Sequence, residues 1–253
     1  METCLKLGPA QQTISDSTAR FRVAACGRRF GKSWLAINEV AKYGRNPNQR
    51  ICIVAPTYRQ VKQVFWIELK ERLRAVNWVK TINESELTIT LVNNSRIFLR
   101  SADNFDAIRG EKFSVIFLDE CADINPEAWF SVLRPTISDT QGDAMFIGSP
   151  KGRNWFYDLW VNAKNDPQWE SFQFTTLDGG RVPKEELEQA KLDLDARTFE
   201  QEYESQFVTW SQTVYYGFTD ENVKACPVPI TEYIPLHCGF DFNINPGTCT
   251  VGV

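Results

Sequence analysis

Cys26-Gly27-Arg28-Arg29-Phe30-Gly31-Lys32-Ser33 is the stretch whose reading decides the fold. The apolar run Phe21 to Cys26 before it reads as a buried strand, and Trp34 to Tyr43 after it reads as a helix. Strand, glycine-rich turn and helix are the setting that a phosphate-binding loop requires. In that setting the loop's N–H groups and the helix N-terminus converge on phosphate oxygens. Lys32 would neutralise β- and γ-phosphate charge, and the Ser33 hydroxyl would reach Mg²⁺. One position departs from the G-x-x-x-x-G-K-[ST] pattern: Cys26 stands where glycine is expected, and Gly27 comes one residue late.

Outward from the loop, the order of elements alternates. Arg50 to Ala55 reads as a strand, and Tyr58 to Ala75 as a helix with Val61, Val64, Phe65, Leu69 and Leu73 on one face. Glu86 to Arg100 reads as a hairpin turning at Asn93-Asn94. Phe113 to Leu118, Ala144 to Gly148 and Trp169 to Thr175 read as further strands, Asn154 to Ala163 as a helix, and Pro183 to Gln206 as two helical stretches. Such alternation predicts an α/β fold with a mostly parallel sheet and helices on both faces. Trp210 to Pro235 lacks periodicity and reads as a connector. After it, His237 to Phe242 and Thr248 to Val253 read as two strands of a new unit.

The strand ending in Leu118-Asp119-Glu120 would bring two carboxylates to the sheet's C-terminal edge, beside the phosphate loop. There Asp119 can hold Mg²⁺ through water, and Glu120 can orient and deprotonate an attacking water. The bland alternative is that both cap the following turn. Gln11 offers an amide matching an adenine edge, or is an ordinary surface glutamine. Gly148-Ser149-Pro150 ends a strand where a polar side chain could sense a γ-phosphate, or simply makes a turn. Arg109, on the polar loop Ala102 to Lys112, is either solvated charge or an arginine finger, with Arg28 and Arg29 as rivals for that role.

Composition narrows the chemistry. With 253 residues, 43% hydrophobic and 24% charged, the chain can bury a full core. Seven cysteines lie singly at 4, 26, 52, 121, 226, 238 and 249, with no C-x-x-C, which supports neither a zinc site nor a disulfide framework. A single histidine, His237, leaves little for a Ser-His-Asp mechanism. The net charge of −4 argues against a surface that grips nucleic acid all round, but not against a local patch. No apolar run reaches the length of a membrane span, so no membrane partner is expected.

Gln11, the loop Gly27 to Ser33, Ala55-Pro56-Thr57-Tyr58, Arg109-Gly110, Leu118-Asp119-Glu120-Cys121-Ala122 and Gly148-Ser149-Pro150-Lys151-Gly152 occur in that order. Together they resemble the ATPase half of a tailed-phage terminase large subunit, a DNA-packaging motor, and the late glycine is similar to that family's deviant loop. The resemblance implies a P-loop, RecA-like ATPase domain over 1–209 that uses ATP and Mg²⁺. It implies a linker over 210–235 and the start of an RNase H-like nuclease domain over 236–253. It further implies double-stranded DNA as partner, a homo-oligomeric ring acting with a portal protein and a small terminase subunit, and work in the host cytoplasm. Arg109 would then act in trans on a neighbouring subunit's ATP, and Gly148-Ser149-Pro150 would couple hydrolysis to movement. Asp241, in Gly239-Phe240-Asp241, matches the first metal-binding aspartate of the nuclease. Its acidic companions have no counterpart before Val253, so nuclease activity is not expected of this chain. Two rivals stay open: a helicase of the Asp-Glu-Ala-Asp type, from the partial likeness of Asp119-Glu120-Cys121-Ala122, and a truncated nucleotide-binding protein without motor activity.

Overall fold

The computed structural model describes residues 6–208, 237–241 and 248–252. The chain divides into two compact units, Met1–Val208 and Thr209–Val253. The first is built on eight strands: β1 (Phe21–Cys26), β2 (Arg50–Ala55), β3 (Val79–Asn83), β4 (Thr88–Leu91), β5 (Arg96–Ser101), β6 (Val115–Leu118), β7 (Asp143–Gly148) and β8 (Trp169–Phe174). They lie in one sheet in the order β3-β4-β5-β2-β6-β7-β1-β8. From β5 to β8 every neighbour is parallel, while β3-β4 and β4-β5 are antiparallel. The parallel strands are apolar almost throughout because both their faces are covered.

Helices α1 (Pro9–Asp16) and α2 (Lys32–Gly44) lie on one face of the sheet. So does a helical run made of α3 (Tyr58–Val61), a wide π-type stretch Lys62–Trp66, and α4 (Ile67–Ala75). Leu35, Val40, Phe65, Leu69 and Leu73 meet Ile51, Ile53 and Ile97 in the core there. On the other face Trp129, Val132 and Leu133 of the π-type segment Ala128–Leu133, with the short α5 (Arg134–Thr136) after it, join Phe156 of α6 (Trp155–Asn162). They pack on Val23, Val54, Ile116 and Phe146. Helices α7 (Lys184–Asp193) and α8 (Ala196–Glu202) complete the unit.

The apolar face expected of the run Tyr58 to Ala75 needs one correction. Val61, Phe65, Leu69 and Leu73 are buried, but Val64 is 39% exposed and Trp66 is buried instead. The wide turn adds a residue to the helical repeat, so the core contacts recur every fourth residue and position 64 swings out. Strand β3 was not anticipated, because its residues are mostly exposed and show no clean alternation.

In the second unit β9 (His237–Asp241) and β10 (Thr248–Gly252) form an antiparallel pair with Asp241 opposite Thr248. The expected connector, 210–235, lies outside the described residues, as do the side chains of His237 and Asp241.

Candidate active site

The parallel strands β1, β6 and β7 all end at one edge of the sheet, where open α/β sheets bind ligands. The loop after β1 turns through Arg29 at φ +60° and Gly31 at φ +98° before α2 begins at Lys32. A side chain at Gly31 would be strained by the backbone alone. Gly27 is needed for a different reason: a Cβ there would lie 2.6 Å from the Thr176 nitrogen and 2.7 Å from the Tyr203 carbonyl oxygen. Cys26, one residue earlier, is fully buried at the end of β1, and burial pushes its thiol up to about 12. It is a packed residue that is inert at neutral pH.

Gln11, buried in α1, reaches the loop directly. Its amide donates to the carbonyls of Phe30 (2.9 Å) and Gly31 (3.3 Å), and its oxygen accepts from the Gly8 N–H (3.0 Å). In this structure the Gln11 amide, expected at an adenine edge, contacts the loop backbone. Phe30, buried beneath, stacks on Phe174 with ring centroids 5.7 Å apart.

At the start of α2 Lys32 is 8% exposed and points back across the edge. Its Nζ donates to Ser149 Oγ at 2.8 Å and to the Gly27 carbonyl at 3.4 Å, and lies 3.7 Å from Glu120 Oε1. Ser33 follows, half-buried. Asp119 is 5% exposed, and its Oδ1 is buried with no hydrogen-bond partner among the described residues. Burial, then the neighbouring Glu120 carboxylate, push Asp119 up to about 7, with Lys32 pulling the other way. An orphaned carboxylate oxygen facing a lysine and a second carboxylate fits a divalent cation held through water. Glu120 sits in the left-handed region at φ +47°, an uncommon conformation for a residue with a side chain. Its carboxylate remains partly accessible, 34% exposed.

Strand β7 lies between β6 and β1. Its end, Gly148-Ser149-Pro150, is therefore the wedge between the two motifs, and Ser149 is the residue that touches Lys32. Beyond it, Lys151 pairs with both oxygens of Asp123 at 2.7 and 2.6 Å.

Arg109 is not part of this cluster. It is 57% exposed, pairs with Asp106 at 2.8 Å, and reaches the Ser131 carbonyl at 3.5 Å. Arg28 is exposed and ion-paired to Glu202 of α8, which raises its pKa. Arg29 is exposed on the loop.

Several residues at the site carried no signal in the sequence. The Thr176 hydroxyl donates to the Arg28 carbonyl at 2.7 Å, and the Arg28 N–H donates to the Glu202 carbonyl at 2.6 Å. The Gln201 Oε1 accepts from the Gly152 N–H at 3.3 Å, so α8 touches both the phosphate-type loop and the segment after β7. Polar residues this far from the loop in sequence follow no spacing rule that could have flagged them.

Comparison with known proteins gives the family and the fold. Residues 24–220 match the family model for the terminase large subunit, T4likevirus-type, N-terminal. The terminase large subunit of Escherichia phage T5 is 29% identical over 210 residues, covering 81% of this chain and 48% of that protein. That of Thermus virus P23-45 is 30% identical over 277 aligned positions, covering 93% and 57%. The chain thus spans about half the length of the curated relatives it matches. Among solved structures, the large terminase ATPase domain of Thermus phage P74-26 superposes with a TM-score of 0.70 at 28% identity, covering 80% of this chain and 94% of that one. The fold is therefore the P-loop, RecA-like one of terminase ATPase domains. On a matched span of this extent, the chain belongs to the terminase large-subunit family, T4likevirus-type, through its N-terminal region.

Proposed function

We propose that this chain hydrolyses ATP with Mg²⁺ and uses the energy to move double-stranded DNA into a phage capsid. The observation that carries the reading is the convergence of Lys32, Ser149, Asp119 and Glu120 at the ends of three parallel strands. The large terminase of a thermophilic bacteriophage, whose likeness at 16 to 17% identity is one of fold, has been solved with ADP and with ATP-gamma-S.

In this reading the loop Gly27 to Ser33 wraps the phosphates with its N–H groups. Lys32 exchanges Ser149 for β- and γ-phosphate oxygens, and Glu120, then freed of Lys32, orients a water and accepts its proton as the water attacks the γ-phosphorus and the bond to the β–γ bridging oxygen breaks, releasing ADP. Asp119 and Ser33 would hold Mg²⁺, which neutralises charge on the phosphates. Ser149, left by Lys32, would report the γ-phosphate to the segment Gly148-Ser149-Pro150 and so couple hydrolysis to movement. Arg109, exposed and outside its own cluster, would complete a neighbouring subunit's site in a homo-oligomeric ring. Such a ring would act beside a portal protein and a small terminase subunit in the host cytoplasm.

Steady-state ATP hydrolysis with and without duplex DNA tests this. DNA-stimulated, Mg²⁺-dependent turnover is expected. Nucleotide binding without turnover would favour a non-motor protein, and strand separation of a duplex with an overhang would favour a helicase.

A further inference from the structure

The open face at the antiparallel end of the sheet carries an arrangement that the ATP site does not use. A hollow of about 510 Å³ there is lined by β3, β4, β5 and the start of β2. Three guanidinium groups gather over one ring: Arg50 lies 4.5 Å, Arg96 4.9 Å and Arg100 5.2 Å from the centre of Phe98. Arg50 and Arg96 are direct cross-strand partners on β2 and β5. Like charges placed opposite each other on a sheet cost stability. Covering Phe98 does not call for three of them, since aliphatic or hydroxyl side chains would cover the ring without repulsion.

The charges are also incompletely answered. Arg50 pairs with Glu111. Among the described residues Arg100 donates to carbonyls, those of Glu86 at 2.8 Å and Leu99 at 3.0 Å. Arg96 has no carboxylate in ion-pair reach among the described residues, and the carboxylate of Glu86 lines the same hollow. Thr81, Ile82, Asn83, Thr88 and Thr90 line the rest, together with Glu111, the ion-pair partner of Arg50. Guanidinium forks over a buried Phe98 match the requirements of phosphodiester oxygens rather than of a base or an apolar ligand.

We infer that this face, centred on Arg96 and Arg100, grips the backbone of duplex DNA without reading its sequence. The inference rests on the motor reading above and adds where the DNA is held. Two unpaired arginines partly offset by a glutamate give a weak, salt-sensitive hold, suited to a motor that must release its track in every cycle.

The test uses the full chain, its Arg96→Gln and Arg100→Gln variants, and the double variant. Gln keeps the covering stem and removes the charge. Binding of a short blunt duplex is measured by fluorescence anisotropy across a salt series, beside DNA-free ATP hydrolysis and thermal melting. We expect each variant to weaken binding and to lower the salt slope by about one. DNA-free turnover should hold, and the melting temperature should hold or rise as the repulsion with Arg50 is relieved. Parent-like affinity and slope in the double variant would overturn the proposal while leaving the motor reading intact. Loss of melting temperature with unchanged DNA binding would assign the arginines to packing on Phe98 and likewise overturn it. Labelled polyglutamate is titrated in parallel as a second probe; loss of its binding in the variants with DNA binding unchanged would make the face an acidic-protein site and overturn the proposal. A parent chain that hydrolyses ATP but binds no DNA would remove the motor reading, and this one with it.

Discussion

If Lys32 and Glu120 serve the same phosphates, as proposed, their variants should fail in different ways. In the proposed mechanism Lys32 would supply charge in both ground and transition states, so Lys32→Ala should weaken nucleotide binding and turnover together. Glu120→Gln keeps the shape of a side chain 3.7 Å from that lysine and removes the base. ATP should still bind while hydrolysis drops by ~10²–10⁴. Equilibrium binding and steady-state turnover of both variants check this, and near-normal turnover in the Gln variant would remove Glu120 from the chemistry. Asp119 gives a prediction with a pH sign. Its folded-state pKa is raised from 3.8 to about 7, so the folded protein holds that proton more tightly than the unfolded chain. The contribution is fully present below 3.8 and is lost as pH rises to about 7, where the buried charge is a penalty. Metal-free Asp119→Asn protein should therefore lose less stability than the parent between those limits. Denaturant melts at several pH values, with a chelator present, measure it.

At the scale of elements, the phosphate-type loop is held from behind rather than standing free. Helix α1 reaches it through Gln11, the turn after β8 through Thr176, and α8 through Glu202. Gly27 is the point of closest approach, so Gly27→Ala must push Thr176 and Tyr203 away. Overpacking of this kind costs ~1–3 kcal/mol. We expect a lower melting temperature and weaker nucleotide binding from this single methyl, and a variant with parent-like values in both would show that the wrap is loose. The π-type stretch Lys62–Trp66 carries a related lesson. The run from Tyr58 to Ala75 was legible as one helix, but the extra residue that turns Val64 outward was not. Apolar spacing tolerates either phase, and only packing on the sheet chooses between them.

For the molecule as a whole, the position of Arg109 sets the test. It is solvent-exposed and anchored to Asp106, away from the cluster of its own subunit. Mixing Arg109→Ala protein with Glu120→Gln protein should restore part of the hydrolysis that each lacks alone, because an intact Arg109 from one would complete an intact Glu120 site on the other. A mixture shown to assemble but not to recover activity would count against action in trans and turn attention to Arg28. The sequence by itself determined the strand–loop–helix unit from Phe21 to Tyr43, the carboxylate pair after β6 and the alternation that makes an α/β fold. These follow from local rules: apolar runs that must be buried, a glycine at positive φ, and a helix that starts where phosphate would bind. Tertiary structure alone decided that β7 slots between β6 and β1, which puts Ser149 on Lys32. It also decided that residues near 176 and 202 close around the loop, and that Arg50, Arg96 and Arg100 converge on Phe98. Strand order and register are set by how whole faces pack, and that free energy is shared among residues far apart in the chain.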